Sequence, residues 1–265
     1  MHAIDPRLHP IDPAVRRDIE ARLAALEAQH GVRILFACES GSRGWGFAST
    51  DSDYDVRFVY VQPPAWYLRI EPGRDVIEEP ISALLDINGW ELRKALRLLA
   101  RGNTTLGEWL DSPVHYRADA AFITRLQAAR AQVYRPQQAF HHYLHMARGN
   151  DRGYLHGTTV RLKKYLYVLR PLLAAQWVLR HAGPPPMRFA ALVEALIEDP
   201  ALRTAIDALL ARKRQGGEAL YGPPEPLIQT FIDTTLQALD GAQPPAHSVD
   251  SGVLDALLFD CVMQV

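Results

Sequence analysis

Two carboxylates and a glycine-serine turn stand out as a set that can do chemistry. Asp53 and Asp55 lie two residues apart at the head of the run DYDVRFVYV, residues 53–61. In an extended strand, positions i and i+2 share a face. Asp is disfavoured in strands, so two on one face need a reason. A shared divalent cation supplies one, since Mg²⁺ combines carboxylate oxygens with substrate phosphates. Ten residues separate Asp53 from Gly41-Ser42, which follow the apolar run VRILFAC, residues 32–38. A turn of this kind, opening a helix, presents backbone N–H groups that favour an anion. Gly41 lets a polyphosphate approach with no Cβ in the way, and Ser42 adds a hydroxyl donor. The chemistry implied is that of a metal-bound phosphate. No G-x-x-x-x-G-K-[ST] run and no G-x-G-x-x-G after a strand compete with it.

The elements that must position these groups follow from periodicity. Asp12 before Pro13 caps a helix over 13–30, with Ile19, Leu23 and Leu26 on one face. Strands are expected over 32–38 and 53–61, then over 74–79 and 81–87. Residues 88–99 read as a helix capped by Asn88. Trp45 and Phe47 are expected to pack under the loop, and Tyr54 to point into the core. After Pro113 the texture changes. Leucine- and alanine-rich segments at 117–133, 136–149, 154–181, 188–197, 200–214, 225–240 and 249–262 read as helices, with no convincing strand among them. The fold class is therefore α+β: a small mixed-sheet domain over 1–114, followed by an all-helical domain over 115–265.

The strand, the Gly-Ser turn and the Asp-x-Asp on the next strand resemble the signature of the polymerase-beta nucleotidyltransferase superfamily. Residues 41–61, 85–99 (LDINGWELRKALRLL) and 108–113 (EWLDSP) also resemble the predicted nucleotidyltransferase family assigned to bacterial RNA repair pathways. RLKKY at 161–165 and RPLL at 170–173 extend the likeness thinly into the helical half. The resemblance implies a polymerase-beta-type domain that moves a nucleoside monophosphate from an NTP to an acceptor hydroxyl and releases pyrophosphate. ATP is the expected nucleotide, Mg²⁺ or Mn²⁺ the cofactor, and an RNA end, tRNA or damaged RNA, the acceptor. It also implies a third carboxylate. Asp86 is the candidate, as metal ligand or base alongside Asp53 and Asp55; Glu78 and Glu79 remain alternatives. Gly41, Ser42 and Arg43 would hold the phosphates.

Lysine usage points to further phosphate contacts. Of 29 basic residues only Lys94, Lys163, Lys164 and Lys213 are lysine. A compact ammonium suits phosphate where a planar guanidinium does not fit. Lys163 and Lys164 are the nucleotide-binding candidates. They lie in a basic stripe with Arg148, Arg152, Arg161 and Arg170, more cations than a triphosphate needs, which favours RNA. His141 and His145 have helical spacing but no completing ligand, so they read as surface or packing residues.

Composition bounds the rest. The net charge is −1, so no global basic charge marks a polynucleotide binder. Residues 1–114 carry 13 basic and 17 acidic side chains, and residues 115–265 carry 16 and 13. Two cysteines, Cys38 and Cys261, exclude a disulfide framework and a cysteine zinc site. No signal segment or apolar span is read, so a cytoplasmic protein with no membrane partner is expected. Two other functions stay open: nucleotidylation of a protein or small molecule, and a non-catalytic nucleotide- or RNA-binding module. The second would show as a lost carboxylate, and all three are present.

Overall fold

The computed structural model describes residues 10–71, 73–82, 84–216 and 221–264. The chain starts with α1 (Pro13–His30), whose N-cap Asp12 accepts from the N–H groups of Ala14 and Val15. β1 (Arg33–Glu39), the short α2 (Gly41–Trp45) and β2 (Tyr54–Val61) follow. Next come α3 (Pro64–Tyr67), β3 (Val76–Glu78), β4 (Leu85–Glu91), α4 (Leu92–Ala100), α5 (Thr105–Leu110), β5 (His115–Ala118) and α6 (Ala120–Val133). The remainder is α7 (Pro136–Tyr154), β6 (Val160–Arg161), α8 (Lys163–His181), α9 (Phe189–Leu196), α10 (Pro200–Gly216), β7 (Tyr221–Gly222), α11 (Pro226–Ala238) and α12 (Gly252–Met263).

The chain divides into two compact units. Unit 1 comprises Met1–Gly44, Asp53–Tyr134 and Ser248–Val265; unit 2 comprises Trp45–Ser52 and Arg135–His247. This corrects the expected boundary at 114. α6 and α12 bury Leu126, Leu254 and Leu257 in the same core as Cys38 and Val59 of the sheet, so both helices belong with it.

Unit 1 is built on a five-stranded sheet in the order β3-β4-β2-β1-β5. β2 and β4 run parallel, and the other pairs are antiparallel. One face packs on α1 through Ile19, Leu23 and Leu26. The other packs on α4, α5, α6 and α12. The expected α+β class holds, with three local corrections. β5 lies in a region read as strandless, and β6 pairs with β7 as a second small sheet. β4 also runs through Asn88 to Glu91, and Glu91, not Asn88, caps α4 by accepting from the N–H of Lys94. Gly89 is a strand residue. A Cβ there would stand 2.1 Å from the Phe58 ring, so glycine makes room for that aromatic in the core.

Unit 2 is mainly helical. Within it, Trp45 packs edge-on against Tyr167, and Phe47 against Phe189. The two aromatics therefore anchor the segment between the Gly-Ser turn and Asp53 in the helical unit, rather than lining a loop. Lys213 on α10 is 1% exposed, and its Nζ donates to the hydroxyls of Ser49 at 3.3 Å and Ser52 at 3.5 Å. Among the described residues, no helix is long and apolar enough to cross a membrane.

Candidate active site

β2 carries the centre of the site. Tyr54, Val56, Phe58 and Tyr60 are buried on the α1 side. Strand alternation therefore turns Asp55 and Arg57 to the other face. β4 lies parallel beside it, with Asp86 in register with Asp55 and Asn88 with Arg57. The register brings the two carboxylates together around one cation. Arg57 Nη2 donates to Asp55 Oδ1 at 3.1 Å and to Asp86 Oδ2 at 2.7 Å. Its Nη1 donates to the Asp86 carbonyl at 2.8 Å.

The Gly-Ser turn closes on the same carboxylate. Gly41 has a φ of 53°, and a Cβ there would stand 1.8 Å from Asp55 Oδ2. Only glycine satisfies both the left-handed backbone and that approach. The Ser40 N–H donates to the Asp55 carbonyl at 2.8 Å, which fixes the turn to the strand. The first-turn N–H groups of α2 have no acceptor within their own helix.

Beneath the turn, Glu39 ends β1 with no exposed surface. Its Oε1 accepts the Asp55 N–H at 2.9 Å, and its Oε2 accepts the Tyr116 hydroxyl. Burial drives the Glu39 carboxyl up to about 8. Burial also raises Asp55, to about 6; Arg57 opposes the rise while Asp53 and Asp86 add to it.

The other expected residues fall into place as follows. Asp53 is exposed and immediately precedes β2. Its carbonyl accepts Arg43 Nε at 3.1 Å. Arg43, expected on the phosphates, is instead 3% exposed. Its Nη1 donates to the Pro10 carbonyl at 2.7 Å, and its guanidinium lies 3.9 Å from the Tyr54 ring centre. It braces the strand entry. Ser42 is buried at 3% exposure. Of the alternative carboxylates, Glu78 faces Asn88 across β3–β4 and pairs with Arg74, while Glu79 pairs with Arg22. Asp86 is the one in register with Asp55.

Lys163 and Lys164 lie in unit 2, at the start of α8. Lys164 Nζ sits 3.7 Å from the centre of the Tyr154 ring. The basic stripe does not run as one solvated face. Arg148 pairs with Asp240 at 2.8 Å, and Arg170 is 2% exposed, 4.5 Å from the centre of the Trp45 ring.

Arg57 and Glu39 went unread in the sequence, although each had a signal. Arg57 stands two residues past Asp55 and so shares its face. Glu39 is a carboxylate closing an apolar strand, where a charge needs a partner.

Residues 15–260 match the family model described as RlaP: RNA repair pathway DNA polymerase beta family. The chain belongs to that family. It is 46% identical over 225 residues to the uncharacterized protein YcgL of Bacillus subtilis (strain 168), covering 85% of this chain and 86% of that one. A nucleotidyltransferase-like protein from Exiguobacterium sibiricum 255-15 is similar at 12% identity and a TM-score of 0.30, covering 94% of this chain and 79% of that one. That likeness is too loose to equate individual residues.

The RlaP-family chain has a donor set that fits a divalent ion. Among the described residues, no three His, Cys, Asp or Glu side chains form a ready metal cage. Mg²⁺ does not require one. It binds one or two carboxylates, keeps several waters and takes the rest of its shell from phosphates. Asp55 is a partly buried acid flanked by two more, a setting that a dication relieves.

Proposed function

We propose that the protein is a metal-dependent nucleotidyltransferase that moves a nucleoside monophosphate from an NTP, ATP first, to a hydroxyl on RNA. The observation that carries this reading is the approach of Gly41 to Asp55. A glycine-serine turn packed on the carboxylate of the Asp-x-Asp pair, with Asp86 in register beside it, supports a turn that holds phosphate next to a metal.

Asp53 and Asp55 would hold Mg²⁺ or Mn²⁺, and Asp86 would join them or take the acceptor's proton. Such an ion, when bound, supplies Lewis-acid stabilisation of phosphate charge. The backbone of Gly41, Ser42 and Arg43 receives the β- and γ-phosphates through N–H groups of the first turn. Arg57 holds Asp86 and Asp55 at a fixed separation. Glu39 fixes the Asp55 backbone from below. The acceptor oxygen bonds to the α-phosphorus, the bond from that phosphorus to the β-phosphate bridging oxygen breaks, and pyrophosphate leaves with the electron pair. The hydroxyl proton passes to Asp86 and then to water.

The test is incubation with each α-labelled NTP, Mg²⁺ or Mn²⁺, and separate pools of RNA and protein. Label should move to RNA with release of pyrophosphate. Label on protein alone would replace the RNA acceptor with a polypeptide.

A further inference from the structure

A hollow of about 340 Å³ opens in unit 1 beside β3, the edge strand of the sheet. That lies within the roughly 300–1,000 Å³ of small-ligand sites. Tyr60 and Ile77, which line it, are buried on the α1 side of the sheet. Leu85 and Ile87 are buried on that side too, so Asp86 between them turns to the other, as Asp55 does. Tyr60 also lies five residues along β2 from Asp55, roughly 16 Å. The hollow is therefore remote from the catalytic carboxylates.

Donors outnumber acceptors on its wall. Tyr60 has no exposed surface, and its hydroxyl has no hydrogen-bond partner among the described residues. A buried donor left in that state carries a penalty that a bound acceptor relieves. Burial raises the Tyr60 pKa, so the hydroxyl keeps its proton to donate. Asp75 and Glu91 add to that rise, but both are engaged: Asp75 by Lys94 Nζ at 3.0 Å, Glu91 by the Tyr67 hydroxyl and the Lys94 N–H. Arg69 is exposed on the wall and forms no ion pair among the described residues. Arg74 pairs with Glu78 at 2.6 Å, but the two side chains are 70% and 52% exposed. So exposed a pair is weak and yields readily to a better anion. Two arginines thus face one carboxylate, which selects a negatively charged ligand.

An aromatic plane narrows the class. Trp66 lines the hollow with a half-buried indole. The chain at Gly73 packs so close to it that a Cβ there would stand 2.4 Å from Nε1. Tyr67 meets the same ring edge-on at 5.1 Å, so the indole is braced on two sides. A fixed aromatic face beside guanidinium groups suits a flat base carried on a phosphate ester. We propose that the hollow is a mononucleotide site separate from the catalytic carboxylates, with the phosphate on Arg69 and Arg74, the base against Trp66, and a sugar or base oxygen accepting from Tyr60. The proposal goes beyond the nucleotidyl-transfer reading and does not rest on it.

The experiment is calorimetric titration of the full chain with AMP in excess EDTA, where arginine and not a metal must meet the phosphate. AMP should bind. Ribose 5-phosphate and adenosine should each bind about tenfold more weakly, since one lacks the stacked base and the other the charged contact. Asp55→Asn should leave AMP affinity unchanged. Arg69→Ala and Tyr60→Phe should each lower it about tenfold. Arg69 is exposed, so its removal leaves the fold intact. Tyr60→Phe carries a second sign: without ligand its melting temperature should hold or rise, because the deleted hydroxyl had no partner to lose. Absence of AMP binding in EDTA, an affinity indifferent to both Arg69→Ala and Tyr60→Phe, or one that falls with Asp55→Asn would overturn the proposal. So would ribose 5-phosphate or inorganic phosphate binding as tightly as AMP, which would leave a plain oxyanion site. A lower melting temperature for unliganded Tyr60→Phe would overturn it as well, by showing the hydroxyl already paired in the free protein.

Discussion

In unit 1, Asp55, Arg57, Asp86 and Asn88 face one way because two hydrogen-bonded parallel strands hold them in register. In unit 2, Arg148, Lys164 and Arg170 come from one basic stretch of sequence but meet different fates: an ion pair, an aromatic face and a buried stack. A strand transmits side-chain direction through a period of two and a fixed register. A helix distributes its residues over all azimuths, and packing decides which of them reach solvent. Polar residues spaced along a strand therefore predict a site better than basic residues counted along helices.

The sharpest way to break this contrast is Asp55→Asn. Turnover should fall by about a thousandfold or more, as expected when a metal-binding carboxylate is lost. The melting temperature should hold or rise, because the partly buried acid carries a desolvation penalty that the amide lacks. A variant that retains activity would remove the strand register from the mechanism.

The matching probe in unit 2 is Lys213→Met. The ammonium is buried and hydrogen-bonded to Ser49 and Ser52. Its loss leaves buried hydroxyls short of a donor and should cost about 3 kcal/mol in denaturant unfolding. The affected segment, Trp45–Ser52, joins the Gly-Ser turn to Asp53. NTP affinity should therefore weaken as well, although no phosphate role is assigned to this lysine.

Gly41→Ala, with Gly31→Ala as its control, isolates the close approach in unit 1. Both glycines have positive φ, 53° and 60°. A Cβ at Gly31 meets nothing within 4 Å, whereas at Gly41 it meets Asp55 Oδ2. Backbone strain of about 1–3 kcal/mol is common to both. The excess loss of stability and of NTP affinity in Gly41→Ala measures the contact between turn and carboxylate.

How much of this was legible depends on what local pattern encodes. α1, β1, β2 and the Asp-x-Asp pair were readable because capping and alternation are local rules. Asp86 was named from family resemblance, and its place opposite Asp55 needed the parallel pairing of β2 and β4, which no local rule supplies. The end of β4 was misread because Asn88 carries the mark of a helix cap, whereas the strand runs on to Glu91, which caps α4 itself. β5 was missed as a four-residue edge strand, HYRA, lacking clean alternation. The return of α12 to the sheet was hidden for another reason: an apolar helix face states that it is covered, not by what. Arg57 and Glu39 carry no ligand-binding pattern of their own in the sequence; their part lies in contacts with Asp55 and Asp86 that only the folded sheet makes.

Glu39 offers a smaller effect with a definite sign. Its folded carboxyl titrates at about 8, against an ordinary value of 4.5. The folded state thus keeps a proton that the unfolded chain releases between those values. The associated stability is full below about 4.5 and is lost as pH rises towards 8, at a slope of up to roughly 1.4 kcal/mol per pH unit. Metal-free wild type should lose stability across that window, and Glu39→Gln should flatten the loss. Parallel curves for the two proteins would show that Glu39 does not carry the proton.

The smallest expected effect tests the stripe itself. Arg148 is partly exposed and paired with Asp240, whose side chain is 75% exposed. Such a surface pair is worth about 0.2–1 kcal/mol, so Arg148→Ala should barely move the melting temperature. RNA binding separates it from Arg152, which is exposed on the same helix. A cation that contacts a single-strand phosphate contributes about −0.7 to the slope of log K against log salt. Arg148 is already committed to a carboxylate, so its removal should change that slope by less than this. Arg152→Ala should change it by the full amount if α7 tracks the strand. If both slopes stay at the wild-type value, the helical unit does not follow the RNA backbone. The basic stretch is then explained by packing and ion pairs alone, and the difference between strand-borne and helix-borne signals is complete. If Arg148→Ala shifts the slope as much as Arg152→Ala, the ion pair with Asp240 opens on binding, and the stripe read from sequence is restored.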